Sequence, residues 1–524
     1  MASPRQLPPS IPALLRSNAA SIGQFLAVVD GQRRVTFEEF YDLVLNASAA
    51  YLRAGLKKRD RVGIWAQNSL EWLIAALGVQ SAGGIIVPLN TRLKGREAQY
   101  ILNKSRARFL VMAGEFLGTR YPELLKDIDL PTLERRIVIG GTGDESWDSF
   151  VAPVTDADRA AAAKAIDTIA ATDTCFIIFT SGTTGNPKGV MAGHGQCLEV
   201  YRLWAESVGV RPGDRYLIVN PFFHTFGYGA GILSCLIMGA TIYPQAIFDV
   251  PAMAETIARE RITVLPGSPA VFQSILDSGV HKTGDLKSLR LSVTGASAIA
   301  PALIERMRNE LGIRSVMAGY GLTETCGTVS MTAGDDSAER VAYTCGRPLI
   351  GIEVKCVDEA NNQVPTGSAG EIVVRGFNVM QGYFEDAKAT AEAMDADGWL
   401  HTGDVGIFDA DGYLKITDRK KDMFIVGGFN CYPAEIEKIM MSNTGVSQVA
   451  VVGVPDHRMG EVGKAYVVPR PGVQITSEEI IAWCREQMAN YKVPRYIDIV
   501  ETLPLTAMGK VQKFELRGGV KAQS

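Results

Sequence analysis

No C-x-x-C pair occurs among the eight cysteines (Cys175, Cys197, Cys235, Cys326, Cys345, Cys356, Cys431, Cys484), and nothing in their spacing suggests a zinc site. Thiols scattered in this way read as buried or inert groups in a reducing compartment. A charge excess is also missing. The balance of 53 basic against 57 acidic residues leaves −4, so no electrostatic argument favours nucleic acid or an anionic membrane as partner. Any anionic ligand must be held by local groups. Long apolar runs are scarce too. The stretch 226–243 is uncharged, at about the lower limit of spanning length, yet it holds four glycines, Ser234 and Thr241 and runs out at Pro244 and Gln245. It reads as a Gly-rich buried helix running into a strand, not as a membrane span. The opening MASPRQLPPSIPALLRS is too polar and too broken by proline for a signal peptide, which makes the cytoplasm the expected location.

What is present is an ordinary globular composition, 47% hydrophobic and 21% charged, over 524 residues. That length exceeds what one hydrophobic core usually serves, so two or more domains are expected. Helical and strand patterns alternate through most of the chain. The spacing predicts a helix over 35–54 introduced by Thr36, a strand over 61–65, a helix over 69–81, then a strand in GGIIVPLN. The same rhythm returns in RYLIVNPFF, GILSCLIMG and ATIYP, and again in RITVLPG, PAVFQSILDSG and LRLSVTGAS. Such alternation predicts an α/β architecture with parallel sheets, which carry ligands where loops leave the carboxyl ends of strands. The Ala-rich stretch 159–171 reads as a surface helix. From Gly351 the texture changes to β-formers broken by turn residues, predicting antiparallel strands, with a hairpin turn at 409–412. A charged stretch at 418–422 then precedes a helix–strand–helix tail. Domains are therefore expected at 1–418 and 419–524.

The strongest chemical signal is CFIIFTSGTTGNPKGVM. An apolar strand opens into Thr180, Ser181, Gly182, Thr183, Thr184, Gly185 and, three residues on, Lys188. Glycines let backbone N–H groups turn toward an anion, hydroxyls add donors and the lysine adds a charge, which together make a phosphate cradle. It is not a Walker A loop, which requires G-x-x-x-x-G-K-[ST].

This string closely resembles the signature of the adenylate-forming superfamily, which comprises acyl-CoA synthetases, beetle luciferases and nonribosomal-peptide adenylation domains. The resemblance extends in family order along nearly the whole chain. Tyr320, Gly321, Leu322, Thr323 and Glu324 match the family's Y-G-x-T-E; Thr402, Gly403 and Asp404 its T-G-D; residues 418–422 its D-R-x-K-D linker, followed by a matching GGFNCYPAEIE. Residues 504–510 match its P-x-T-x-x-G-K. The implied fold is a large N-terminal domain of α/β subdomains with an antiparallel β portion, followed by a small mobile α+β domain that swings about a hinge near Lys421.

The implied reaction joins a carboxylate to the α-phosphorus of ATP, expelling pyrophosphate, and then passes the acyl group to coenzyme A. An anion attacks a polyanion, so charge neutralisation and alignment dominate the chemistry. The resemblance assigns Mg²⁺ to Glu324, the α-phosphate to Thr323, and the β- and γ-phosphates to the 180–188 loop. It assigns Lys510 to the reacting centre, the ribose to Asp404 with Arg419 nearby, and adenine to a slot between Tyr320 and the backbone of Gly295, Ala296 and Ser297. Gly321 belongs to the same nucleotide site. His224 and Gly319 would line the acyl pocket, with His224 at its carboxylate end, and Gly427 and Gly428 the pantetheine channel. The adenylate is reactive enough that thiol attack needs no dedicated base.

No acidic residue lies between Asp214 and Asp249, where peptide-synthetase domains place an aspartate against the substrate ammonium. The expected substrate is thus an apolar monocarboxylic acid, and the resemblance to bacterial fatty-acid-CoA ligases implies a medium- or long-chain fatty acid, or a ring-bearing acid such as those from sterol breakdown. Gly227, Gly229, Gly231, Ala318 and Gly319 are expected to leave the acid site wide. An aryl-CoA ligase, or an enzyme loading a carrier protein's phosphopantetheine, is the alternative. Expected partners are the acid, ATP and CoA, with no nucleic acid, no membrane span, and a homodimer left open.

Overall fold

The computed structural model describes the chain except residues 1–6, 143–145, 153, 181–186, 296–298, 420–421, 427–428, 457–458, 489, 506–510 and 518–524. Two twisted sheets organise the large domain. One has seven strands in the spatial order Gly382–Tyr383, Lys188–Gly193, Thr174–Thr180, Ile85–Pro88, Arg61–Trp65, Phe109–Ala113, Arg135–Ile139. Its last five strands are parallel, and Lys188–Gly193 turns back antiparallel on Thr174–Thr180. The other sheet runs Arg33–Thr36, Leu26–Asp30, Thr241–Pro244, Arg215–Ile218 and continues, across Val264, into Leu291–Gly295, Ser315–Tyr320, Ser330–Met331 and Arg347–Pro348. Near-continuous apolar strands such as Phe109–Ala113, buried at every position, mark a sheet covered on both faces.

Local signals place the helices. Thr36 caps the helix Phe37–Arg53 in a reciprocal box with Glu39, and Ser69 caps Leu70–Ser81. Leu70–Ser81 is buried at nearly every position because it packs against the helices Phe37–Arg53 and Ile11–Ile22 and the strands Arg61–Trp65 and Ile85–Pro88. The Ala-rich stretch forms Asp156–Ile166 and buries only Ala162 and Ile166, against Leu45 and Ala49.

One element departs from expectation. RITVLPG forms no strand: Val264 alone bridges Tyr216 and Leu291, and although the Leu265 and Gly267 N–H groups still donate to the Leu291 and Val293 carbonyls, Pro266 offers no N–H toward Arg215–Ile218. The Gly-rich stretch is the expected buried helix running into a strand, wound as a π-helix over Phe226–Leu233 and as an α-helix over Ser234–Met238 before the strand Thr241–Pro244. Among the described residues no helix is long and apolar enough to cross a membrane.

The antiparallel sheet follows as Ile352–Val357, Gly370–Gly376, Leu400–Phe408 and Leu414–Arg419, with the 409–412 turn carried by Gly412 at φ 79°. The small C-terminal domain has its own sheet: Phe429–Cys431, Phe424–Val426, Gly460–Pro469 and Val446–Asp456, with Tyr496–Ile499 parallel to Gly460–Pro469. The helices Pro433–Met441 and Ser477–Gln487 cover it, sealing a core of Phe424, Ile436, Met440, Val451, Val467 and Ile480. All eight cysteines are free and seven are buried.

Candidate active site

The phosphate-loop sequence sits between two strands, as its pattern requires. Thr180 ends Thr174–Thr180, Lys188 begins Lys188–Gly193, and the two residues face each other in register, closing the base of the loop. Ser181, Gly182, Thr183, Thr184 and Gly185 lie outside the described residues. So do Ala296, Ser297, Lys421, Gly427, Gly428 and Lys510, as does the side chain of Arg419.

The Y-G-L-T-E segment begins as the strand Ser315–Tyr320 ends. Thr323–Thr325 forms a single 3₁₀ turn; the Leu322 N–H donates to Thr325 Oγ1 at 3.0 Å and the Gly327 N–H to the Leu322 carbonyl at 2.7 Å. This tight reversal needs left-handed backbone at Cys326 (φ 51°) and Gly327 (φ 84°). It also explains Gly321, where a Cβ would lie 2.3 Å from the Gly327 carbonyl. The turn presents Thr323 and Glu324, both partly exposed, beside the loop base.

Tyr320 and Asp404 meet. The Tyr320 hydroxyl donates to Asp404 Oδ2 at 2.6 Å, with the two residues 8% and 6% exposed. Burial first, and the Asp404 carboxylate second, push the Tyr320 hydroxyl well above the ordinary phenol range. The T-G-D motif shapes this placement. Gly403 takes φ 71°, the Asp404 N–H donates to Thr402 Oγ1 at 3.1 Å, and the Thr402 hydroxyl donates to the Ile372 carbonyl at 2.7 Å. Asp404 is paired across the sheet with Arg419, so the expected neighbours are adjacent in backbone register. Gly295 and Gly319 also pair, in parallel; a Cβ on Gly295 would come within 3.0 Å of the Gly319 carbonyl.

His224 lies in the turn that enters the π-helix. Its Nδ1 accepts the Phe226 N–H at 3.1 Å, so in the neutral ring the proton resides on Nε2. Tyr201, from the helix His194–Val208, ties this turn to the Thr323–Thr325 turn: its hydroxyl reaches the Thr225 carbonyl at 3.2 Å and also donates to the Cys326 carbonyl.

The glycines of 227–231 have another role than the one expected. A Cβ on Gly227 would lie 2.1 Å from the Pro221 carbonyl oxygen, on Gly229 1.7 Å from Tyr201 Cζ, and on Gly231 2.9 Å from Ile218 Cδ1. Their missing volume is already filled by protein, so they permit close packing and do not widen an acid site. Gly319 differs, since a Cβ there would make only ordinary contact, 3.5 Å from Met331 Cε.

Sequence reasoning missed Tyr201 and Tyr383. The first reads as one apolar position of an amphipathic helix. The second lies in an unremarked Gly-Tyr pair, yet its hydroxyl donates to Glu324 Oε1 at 2.9 Å and the Lys188 Nζ stands 5.1 Å from its ring centroid. Only the fold brings 188, 324 and 383 together.

A family model described as AMP-binding enzyme matches residues 15–384, and one described as AMP-binding enzyme C-terminal domain matches 435–510. The chain is 46% identical to a 3-[(3aS,4S,7aS)-7a-methyl-1,5-dioxo-octahydro-1H-inden-4-yl]propanoyl:CoA ligase of Rhodococcus jostii, covering 97% of this chain and 98% of that protein. It is 33% identical to the human mitochondrial medium-chain acyl-CoA ligase, with 94% and 84% covered. Among solved structures, the anthranilate CoA ligase AuaEII in complex with anthranoyl-AMP superposes with a TM-score of 0.86 at 29% identity, covering 98% of both chains. ATP-bound MatB from Rhodopseudomonas palustris also gives 0.86, at 27% identity over 97% and 98%. The chain therefore belongs to the AMP-binding enzyme family, as an AMP-forming acyl-CoA ligase of the adenylate-forming superfamily.

Proposed function

We propose that the acid this ligase activates is a ring-bearing alicyclic monocarboxylate, converted to its acyl-adenylate and then to its CoA thioester with release of AMP and pyrophosphate. The observation that carries the chemistry is that the two ends of the Y-G-L-T-E segment each meet a matching partner: Tyr320 the buried Asp404, and Glu324 the Tyr383 that stands beside Lys188 at the base of the phosphate loop. Asp404 would accept from the ribose, leaving the Tyr320 ring to flank adenine opposite the Gly295–Gly319 pair and the neighbouring Ala296 and Ser297. Lys188 and the 180–185 hydroxyls and N–H groups would hold the β- and γ-phosphates, and Thr323 the α-phosphate. His224 would orient the acid's carboxylate, and Lys510 would bridge it to the α-phosphate.

The donor set suits Mg²⁺. Glu324 supplies one hard carboxylate oxygen donor set, and no group of three His, Cys, Asp or Glu side chains among the described residues could hold a metal alone. Magnesium is commonly held by one or two carboxylates plus substrate phosphates and water. When bound, it neutralises phosphate charge during the in-line displacement.

The choice of a ring acid rests on the 46% identity, over 97% of the chain, to a ligase for a bicyclic propanoic acid. The lack of any acidic residue between Asp214 and Asp249 agrees with a neutral acyl body, since an unpaired buried charge would cost several kcal/mol. The domain boundary is placed at 418/419 with the hinge at Lys421. That boundary lies next to the change-over between the two cores: the large domain's last strand ends at Arg419, and Phe424 already belongs to the small domain's core. Eight free thiols suit the reducing cytoplasm. A homodimer is part of the proposal and is checked by sedimentation.

The test is a pyrophosphate-release screen over bicyclic, aromatic, linear and acetic acids, with and without CoA. Each buried methylene adds roughly 0.8 kcal/mol, so an eight-carbon or alicyclic acid should exceed acetate in kcat/KM by at least about a hundredfold. Comparable efficiency on acetate, or preference for an amino acid, would overturn the substrate assignment.

A further inference from the structure

We infer that Tyr383 is a positioning residue for adenylation, holding the Glu324 carboxylate through its hydroxyl and the Lys188 ammonium through its ring. The inference rests on the proposed role of Glu324 as the magnesium ligand. Tyr383 lies where two active-site segments are stitched together. The Phe384 N–H donates to the Gly189 carbonyl at 2.7 Å, the Gln381 N–H to the Met191 carbonyl at 2.9 Å, and Val190 pairs with Tyr383 in register. On the other side the Met380 N–H donates to the Glu324 carbonyl at 2.8 Å. The same short stretch thus grips the strand below the phosphate loop and the backbone of the Thr323–Thr325 turn.

The tyrosine itself is tightly held. Gly382 before it adopts φ 131°, a conformation that favours glycine, and the Tyr383 N–H donates to Thr390 Oγ1 at 2.9 Å. From this anchored position the hydroxyl donates to Glu324 Oε1 at 2.9 Å. That bond settles which carboxylate oxygen faces the protein and leaves Oε2 for a cation. Hydrogen bonds of this kind orient metal-binding carboxylates, and losing one typically weakens metal binding or activity 10- to 100-fold. Meanwhile the ring has the Lys188 Nζ at 5.1 Å from its centroid, within the range where a ring attracts an ammonium. One side chain therefore sets the spacing between a cation that would meet the outer phosphates and the carboxylate that would meet their metal.

The two contacts separate by substitution. Tyr383→Phe keeps the ring under Lys188 and loses only the hydroxyl; Tyr383→Leu loses both. Titrating each protein with ATP calorimetrically at stepped Mg²⁺ and in EDTA reads binding independently of turnover, with Glu324→Gln as control. Tyr383→Phe should raise the half-saturating Mg²⁺ at least about tenfold while leaving ATP affinity in EDTA within twofold. Tyr383→Leu should in addition weaken ATP in EDTA severalfold, through loss of the lysine's partner. If Glu324→Gln shifts the Mg²⁺ curve and Tyr383→Phe does not, the hydroxyl does not position the carboxylate and the inference fails alone. If Glu324→Gln leaves the curve in place, the metal role of Glu324 falls and takes this inference with it.

Discussion

Gly229→Ala tests how the π-helix is packed beside the site. A methyl built on Gly229 lies 1.7 Å from Tyr201 Cζ, 2.0 Å from Cε2 and 2.1 Å from the hydroxyl oxygen. Ordinary carbon contacts need about 3.5–4.0 Å, so the ring has to move by roughly 2 Å. Tyr201 is 1% exposed and has no room to retreat without disturbing its neighbours. Overpacking of this kind costs about 1–3 kcal/mol. If the phenol also leaves the carbonyls of Thr225 and Cys326, unsatisfied buried groups add about 1–3 kcal/mol. The expected loss is therefore about 1–3 kcal/mol, or about 2–6 kcal/mol where those bonds break as well, a fall of up to several degrees in the large domain's melting temperature. Because Tyr201 ties the His224 turn to the Glu324 turn, adenylation should slow as well. Tyr201→Ala removes the ring the methyl strikes, so Gly229→Ala should cost much less in that background, and the pair should be strongly non-additive. The assays are thermal denaturation of the four proteins and acid-dependent pyrophosphate release. A Gly229→Ala protein that melts within about a degree of the parent and shows only a raised KM for the acid would refute the reasoning, because the methyl would then project into the acyl site.

Other consequences follow from the same account. Lys510→Ala should lose adenylation by several orders of magnitude yet still convert supplied acyl-adenylate to acyl-CoA, while Gly428→Leu should do the reverse; equal slowing of both steps by both substitutions would contradict the swinging-domain reading. His194 is buried, and burial pushes its pKa down from 6.5 to about 3. Below about pH 6.5 the unfolded chain takes up a proton that the folded chain refuses until about pH 3, so this contribution to stability is complete above 6.5 and lost as pH falls, by about 1.4 kcal/mol per unit. His194→Gln should therefore flatten the fall in unfolding free energy from urea titration between pH 6.5 and 5 by about 2 kcal/mol, and equal slopes in both proteins would count against it.

Much of this molecule is legible in its sequence where local rules suffice. The helix after Thr36, the helix after Ser69, the hairpin at 409–412 and the tail helices all follow from caps, turns and periodicity that act within a few residues. The loop after Thr180 and the Y-G-L-T-E turn are legible because backbone geometry demands glycine at fixed places, as the contact at Gly321 shows. What stays hidden depends on distant partners. Glycines 227, 229 and 231 look like open space until Pro221, Tyr201 and Ile218 are seen to fill it. The run around Val264 looks like strand until Pro266, with no N–H to give Arg215–Ile218, leaves a single bridging residue. Tyr383 carries no local mark, because its meaning comes from residues 59 and 195 positions away in sequence.

The measurement closest to the central claim is the product balance of a single reaction containing a bicyclic propanoic acid, ATP, Mg²⁺ and CoA. AMP, pyrophosphate and acyl-CoA should form in equal amounts, with no AMP when the acid or Mg²⁺ is omitted. ADP and phosphate as the direct products would contradict the account.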